Sequence, residues 1–397
     1  MNSSSPQMID WDVAIATGVR WVRPGPQVSI AEARRAVSEL RELADAVREP
    51  VRELTGLHSP EVSGQVAVVD RPGWIRANVD GFRVVLDPLV TRLAERGTVP
   101  VPGSMVTAVG SRMTGMQAGL ILAYLASRVL GQYELFLPPD PGGGQPVGRL
   151  TLVAPNIVMV ERELGVDQHD FRRWVCLHEE THRTQFTAVP WLRGYVQQEM
   201  TEFLLASELD PAAILKRVRA AADAVAGAVR GGDDGESLIE AIQTPKQREI
   251  LDRLTAVMTL VEGHGDYVMD AVGPRVVPSV AQIRERFNAR RGSANRIERA
   301  IRRILGIDLK MKQYAQGSKF VKAIVEEAGM TVFNKVWASP QTLPTKAELS
   351  APHAWLDRVG ASDGGASEGG ASEGGASEGG TNGSGEWYGR RAVGETG

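Results

Sequence analysis

The sequence predicts a mainly α-helical fold with a small β-hairpin or edge ribbon near the helix that carries the candidate site. Apolar residues recur at helical spacing through most of the 397-residue chain, whereas residues 149–160 are the strongest strand candidates. The composition, 43% hydrophobic and 23% charged, is that of a folded protein. A chain of this length can bury a sizeable core without disulfides.

The first long helix is predicted over residues 29–57. Ser29 is followed three residues later by Glu32, which is the spacing of a capping box, so Ser29 is the predicted N-cap. Pro50 is expected to end or interrupt this helix, because proline lacks the amide hydrogen that a helix interior needs.

Two further helices are predicted in the next part of the chain. Asp87 as N-cap and Pro88 in the first turn predict a helix that ends at about Arg96. An apolar pattern predicts another helix over residues 111–130. Its most apolar part is too short to cross a bilayer and contains Arg128, so we expect a buried core helix.

The strand candidates at residues 149–160 are divided by Pro155. Because proline cannot donate a hydrogen bond inside a sheet, a short hairpin or edge ribbon is predicted here, and not a central strand. Asp167 or Asp170 is then expected to begin the helix that carries the candidate site.

Helical patterns continue through the second half of the chain. The longest is expected to be interrupted near Pro245, and a last short helix follows Pro344, where Thr345 and Glu348 again have capping-box spacing. The remaining helices are predicted at about 194–208, 210–230, 236–270, 279–291, 295–305 and 317–328.

Charge and cysteine content exclude several classes of function. The formal net charge is −3, which gives no reason to expect binding to nucleic acid or to an anionic membrane. The arginine-rich stretch at 284–303 is interpreted as an exposed helical pair.

Cys176 is the one cysteine, so no intramolecular disulfide can form, and a cytoplasmic protein is expected. Cys176 itself is predicted to be a core residue.

A metal-binding motif lies in the helix predicted after Asp167. His178 and His182 are four residues apart, so both imidazoles can reach one Zn²⁺ from the same helix face. Glu179 is the predicted general base, since zinc lowers the pKa of a bound water whose proton this carboxylate can accept. Gln185 and Ala188 occupy the positions where the metzincin class has glycine and histidine, which excludes that class.

A third metal ligand is expected from the helix that contains residues 262–267. Glu262 is the first choice, and Asp266, four residues later, is expected to orient a ligand histidine. His264 is the alternative ligand, if the neighbouring glycines distort the turn. A salt-bridged helix with no metal role is the alternative for the whole segment. Tyr267 is a candidate donor to the developing oxyanion.

Four motifs together resemble a family of zincin-like proteins, over about residues 8–359. Members are labelled zinc-dependent metalloproteases, or hydrolases associated with deazaflavin coenzyme biosynthesis. The motifs are His178-Glu179-Glu180-Thr181-His182, the segment 262–270, Gln313-Tyr314-x-x-Gly317 and Asn334-x-Val336-Trp337. The resemblance implies a helical zincin-like fold with zinc at His178 and His182 and Glu179 as the base. It leaves the third ligand open.

One catalytic unit is therefore predicted over residues 1–359. It consists of a helical N-terminal part, about 1–105, and a part with the metal site, 106–359. Residues 360–397 are predicted to be a disordered acidic tail rich in glycine and serine, which cannot bury a core. A protein partner of this tail is a further possibility.

Three functions are compatible with these features. The first is a metallopeptidase acting on a peptide, and the second is a zinc hydrolase acting on a small amide in cofactor metabolism. The third is a non-catalytic scaffold that zinc stabilises and whose acidic tail tethers a partner. Neither nucleic acid nor a membrane is expected as a partner.

Overall fold

The structure is a computed structural model of the chain. It describes residues 9–59, 66–95, 105–139, 148–206, 244–292 and 307–364. The chain forms two compact units, Met1–Leu356 and Asp357–Gly397, and the candidate site belongs to the first. The helices predicted at 210–230 and 295–305 lie outside the described residues.

The described residues are mainly helical, as the sequence predicts. The helices are α1 (Trp11–Trp21), α2 (Ile30–Ala46), α3 (Arg48–Thr55), α4 (Arg71–Glu95), α5 (Met105–Ala126), α6 (Ala154–Leu164), α7 (Gln168–Ala188), α8 (Pro190–Leu205), α9 (Pro245–Val276), α10 (Val280–Gly292), α11 (Ile307–Phe333) and α12 (Pro352–Gly364). The strands are β1 (Ala67–Val69), β2 (Gly131–Glu134) and β3 (Arg149–Val153). Three short 3-10 helices follow α11, at Asn334–Trp337, Pro340–Thr342 and Glu348–Ser350. None of the helices in the described ranges is long and apolar enough to cross a membrane.

The break in the first predicted long helix comes earlier than Pro50. Ser29 caps α2, with its hydroxyl accepting a hydrogen bond from the amide of Glu32, as predicted. The helix then ends before Val47, and Pro50 lies in the first turn of α3, where the missing amide hydrogen costs nothing. Gly56, with a φ of 65°, ends α3 in the left-handed conformation.

The prediction that a helix begins at Asp87 is wrong. Helix α4 begins at Arg71 and continues through Pro88, so Asp87 is an interior residue. Its carboxylate accepts a hydrogen bond from the indole of Trp11 and does not cap a helix. Burial of the earlier turns, at Trp74 for example, favours the longer helix over a start at the proline.

The strand prediction is correct in part. Strands β2 and β3 form an antiparallel ribbon, with Gly131 opposite Leu152, but β1 pairs in parallel with the other edge of β3. Strand β3 is therefore central, contrary to the predicted edge position. Pro155 does not divide a strand, because β3 ends at Val153 and Pro155 lies in the first turn of α6.

Helix α7 lies at the centre of the first unit and carries the predicted motif. Asp167 is its N-cap, accepting a hydrogen bond from the amide of Asp170. The helix packs against α2, α3, α6, α8, α9 and the strands β2 and β3. Cys176 is fully buried in this core, as predicted.

Helix α9 crosses α11 at very short range. A Cβ atom on Gly263 would lie 2.2 Å from the carbonyl carbon of Gly317, and one on Gly317 would lie 2.0 Å from the carbonyl oxygen of Thr259. Only glycine allows the two backbones to approach so closely. Helix α9 begins at Pro245, after a capping box of Thr244 and Gln247, so it starts at the point where an interruption is predicted. Residues 236–243 of the predicted helix lie outside the described residues.

Toward the C-terminus, the last helical segments differ from the predictions in their type and in their length. Thr345 and Glu348 exchange hydrogen bonds as predicted, but the turn that follows is a 3-10 helix. Helix α12 extends to Gly364 and so includes the first residues of the predicted disordered tail. The tail from residue 365 onward lies outside the described residues.

Candidate metal centre

Two histidines of α7 and one glutamate of α9 converge on a single point. The Nε2 atoms of His178 and His182 are 3.1 Å apart. The Oε2 atom of Glu262 lies 3.8 Å from Nε2 of His178 and 3.7 Å from Nε2 of His182. Within the described ranges, these three residues form the group whose ligand atoms could hold one metal ion.

The donor atoms fit a zinc ion. Tetrahedral zinc with bonds of about 2.0–2.1 Å places its ligand atoms about 3.3 Å apart. The observed separations of 3.1, 3.7 and 3.8 Å are close to that value. Two histidines and one glutamate are also a ligand set of catalytic zinc sites, which leave the fourth position open. Glu262, the first choice from the sequence, is thus the residue that joins the histidines, although ligation itself stays a prediction.

Glu179 lies buried beside this cluster, against the backbone of β2. A Cβ atom on Gly131 would lie 2.7–2.9 Å from the Cγ, Cδ and Oε1 atoms of Glu179, so the absence of a side chain there makes room for the carboxylate. Burial raises the pKa of Glu179 to about 7, with His182 lowering it and Glu262 raising it. A carboxyl group with a pKa near neutrality can both accept and return a proton.

His264, the alternative third ligand, lies apart from the cluster. Its ring is fully buried, stacks on Phe333 at 5.3 Å and meets Trp337 edge-on at 5.6 Å. Its Nδ1 atom is 2.9 Å from the side-chain nitrogen of Gln185. Burial lowers the pKa of His264 to about 3, which keeps the imidazole neutral. The described geometry therefore groups Glu262, and not His264, with His178 and His182.

Asp266 and Tyr267 are the other two predicted site residues on α9, and only the first of them lines the cavity beside the cluster. Asp266 lines the same cavity as His178 and Glu179, and its carbonyl oxygen accepts a hydrogen bond from Arg284. Tyr267 is half-buried and is not among the residues that line this cavity. Burial raises the pKa of Tyr267, and the charge of Glu326 on α11 raises it further. The roles predicted for Asp266 and Tyr267 stay predictions.

A cavity of about 260 Å³ opens beside the metal cluster. His178 and Glu179 form one part of its wall, and an apolar part is formed by Trp174, Met269 and Phe287. The rings of Trp174 and Phe287 meet edge-on at 5.1 Å. The volume is slightly below the roughly 300–1,000 Å³ of pockets that hold drug-sized ligands, so the cavity suits a small group of a substrate.

Two residues that are not among the predicted ones contact the site. One is Gly131, which makes room for Glu179. The other is Gln185, whose Oε1 atom is 2.9 Å from Nδ1 of His182. Gln185 follows His182 by three residues, a spacing that places both on one helix face, so this contact was accessible from the sequence. Gly131 had no such signal, because its contact is with a distant part of the chain.

Comparison with known proteins agrees with this geometry. The family described as zincin-like metallopeptidases matches residues 9–356. A solved structure from Chloroflexus aurantiacus, described provisionally as a hydrolase with a novel fold, is 30% identical, with a TM-score of 0.62. The match covers 89% of this chain and 99% of that one. No curated protein sequence matches the chain. The family match spans the two histidines, Glu179 and Glu262, and the chain therefore belongs to the zincin-like metallopeptidase family.

Proposed function

We propose that the protein is a zinc-dependent hydrolase that cleaves an amide bond, and that its substrates are peptides. The observation that carries the proposal is the convergence of His178, His182 and Glu262, with the buried carboxylate of Glu179 beside them. The family match and the hydrolase description of the similar structure support the general class. The single cysteine supports a reducing, cytoplasmic setting.

The residues around the cluster have separable roles in such a reaction. Zinc, when bound, acts as a Lewis acid and lowers the pKa of a bound water. His178, His182 and Glu262 would hold it. Glu179 accepts a proton from the attacking water at one carboxylate oxygen and returns it to the nitrogen of the leaving amine. The cavity beside Glu179 provides space for a group of the substrate.

The small cavity favours a second substrate class, a compact amide. Its volume of about 260 Å³ suits a single group, which would meet both the apolar side chains of Trp174, Met269 and Phe287 and the charged side chains of Asp266 and Arg284. Cleavage of a peptide library by the zinc-loaded protein would support the peptidase. Turnover of small N-acyl amides without any peptide cleavage would support the alternative.

Substitution of Glu179 by glutamine tests the catalytic proposal. Glutamine keeps the shape of the side chain but cannot accept the proton, so hydrolysis should fall by about 10²–10⁴-fold. The zinc content and the melting temperature should stay close to those of the wild type. Glu163→Gln, which changes an exposed carboxylate on α6, is the matched control and should leave turnover unchanged.

Two outcomes would contradict the proposal. Unchanged hydrolysis by Glu179→Gln would remove this residue from the chemistry. A wild-type protein that binds zinc and is stabilised by it, yet cleaves no peptide or amide, would instead favour the zinc-stabilised scaffold.

A further inference from the structure

We propose that Gln185 is a positioning residue that fixes the orientation and tautomer of His182, and that His264 holds Gln185 in place. The inference rests on the proposed zinc function, because it concerns how one ligand of that site is prepared. The neutral amide of Gln185 on α7 would then orient a ligand histidine, the role predicted from the sequence for the carboxylate of Asp266.

The orientation of the Gln185 amide follows from its partners. One end lies 2.9 Å from the carbonyl oxygen of Val261. A carbonyl oxygen only accepts hydrogen bonds, so this end must be the NH2 group. The oxygen of the amide therefore faces His182, with Oε1 at 2.9 Å from Nδ1.

The amide in turn determines where the proton of His182 lies. Because the Oε1 atom of Gln185 only accepts, the Nδ1 atom of His182 must be the donor and carry the proton. The Nε2 atom then keeps its lone pair and faces His178 and Glu262. A neutral histidine in this tautomer is the form that binds a metal through Nε2.

His264 contacts the nitrogen end of the Gln185 amide. The side-chain nitrogen of Gln185 is also 2.9 Å from Nδ1 of His264, so the NH2 group donates its second hydrogen to this nitrogen, which is the acceptor. The His264 ring is fixed between Phe333 and Trp337. Gln185 thus has three partners, and the carbonyl oxygen of Val261 determines the orientation of its amide toward the two histidines.

The burial of Gln185 makes this arrangement costly to lose. The residue has 0% exposure, and so does His264. A buried amide that loses its partners leaves polar atoms unsatisfied and away from water, so the three bonds hold the side chain in one position. A fixed amide fixes the His182 ring, and outer partners of this kind change metal affinity by about 10–100-fold.

Zinc affinity of the Gln185→Leu variant tests the proposal. Leucine fills a similar volume but leaves Nδ1 of His182 without an acceptor, so the affinity should fall about 10–100-fold. The measurement is competition with a chromophoric chelator on the full-length, zinc-free chain. Thr181→Val is the matched control, since it removes a buried hydroxyl of α7 that bonds only to its own helix, and its affinity should equal that of the wild type.

The His264→Phe variant tests the role of His264. It keeps the ring packing and leaves Gln185 bonded to His182 and Val261, so a smaller, few-fold loss of zinc affinity is expected. If His264→Phe loses as much zinc affinity as Gln185→Leu, His264 does more than hold Gln185 in place. The proposal that Gln185 alone orients His182 would then be wrong.

A measurement on the unmodified protein is independent of variant folding. Nitrogen-15 NMR of the six histidine side chains in the zinc-free chain should show His182 as the Nδ1–H tautomer, with slow proton exchange. An Nε2–H tautomer would overturn the proposal. Equal affinity of Gln185→Leu and Thr181→Val would also overturn it, while leaving the zinc site itself intact. Absence of zinc binding in the wild type would instead refute the proposed function.

Discussion

The carboxylate of Glu179 occupies space that exists because residue 131 has no side chain. A methyl group on Gly131 would lie 2.7–2.9 Å from three atoms of Glu179, closer than packed carbon atoms approach each other. The carboxylate would have to turn away from its present position. At the scale of one residue, the geometry of the proposed base thus depends on a glycine of the neighbouring strand.

The Gly131→Ala variant tests this dependence. A displacement of a reacting group by about 1 Å can cost about 10²-fold in rate, so we expect a kcat about 10–100-fold below the wild type. Zinc affinity should stay close to that of the wild type, because the three atoms nearest to the added methyl group belong to Glu179, which is not one of the proposed ligands. Gly110→Ala is the control, because its methyl group would have no atom within 4 Å in the part of the chain that the structure describes. Wild-type kcat in Gly131→Ala would show that Glu179 does not need this position.

The residues that the sequence identified best are those related by helix geometry. His178 and His182 are four residues apart, and their imidazoles meet as this spacing requires. Gln185 follows His182 by three residues and so shares its helix face, although from the sequence this residue serves only to exclude the metzincin class. The contact of Gly131 with Glu179 joins a strand to a helix, and no local pattern predicts such a contact.

At the scale of elements, the crossing of α9 and α11 determines where Glu262 lies. Gly263 follows Glu262 directly, and its Cα faces the backbone of Gly317. A wider separation of the helices would move the α9 backbone at the residue next to the proposed third ligand. The glycine of the Gln313-Tyr314-x-x-Gly317 motif therefore has a structural explanation, namely the close approach of two helices.

The Gly263→Ala variant should lower both stability and zinc affinity. Its Cβ would lie 2.2 Å from a backbone atom of Gly317, so the helices must separate, and overpacking of this kind costs about 1–3 kcal/mol. Urea unfolding and zinc titration measure the two effects. Gly194→Ala in α8, where a Cβ meets no atom of the described residues within 4 Å, should instead gain up to about 1 kcal/mol from helix propensity. Equal behaviour of the two variants would refute the tight crossing.

Several of the predicted element boundaries depend on proline. Local rules predict a helix start next to Pro88, a divided strand at Pro155 and an interruption near Pro245. The structure continues α4 through Pro88, has Pro155 in the first turn of α6 and begins α9 at Pro245. Local sequence cannot separate these cases, because the burial of neighbouring turns against other elements decides whether one lost hydrogen bond is tolerated.

At the scale of the whole first unit, buried charges connect α2 and α6 to the helix of the metal site. The guanidinium of Arg172 on α7 donates two hydrogen bonds to Glu161 of α6, at 2.9 and 2.6 Å, and pairs with Glu39 of α2. Glu161 is 1% exposed. Burial raises the pKa of Glu161, and Arg172 opposes that rise. No local pattern indicates this pairing, because charged residues on separate helices are ordinarily exposed.

Loss of Arg172 should therefore destabilise the unit as a whole. In Arg172→Met the carboxylate of Glu161 stays buried without its partner, which costs about 3–5 kcal/mol in comparable cases. Chemical denaturation followed by circular dichroism measures the free energy of unfolding. Arg275→Met, which removes an ion pair of two largely exposed side chains between α9 and α3, should cost at most about 1 kcal/mol.

A double variant shows how much of the lost stability comes from leaving the carboxylate of Glu161 buried without a partner. Glu161→Gln in the Arg172→Met background removes the uncompensated carboxylate, so most of the lost stability should return. If the double variant is as unstable as Arg172→Met, the cost lies in packing of the long side chain and not in charge. If Arg172→Met unfolds with the same free energy as Arg275→Met, the buried pair does not hold α6 and α7 together, and apolar packing alone must explain how the metal-site helix is fixed in the core.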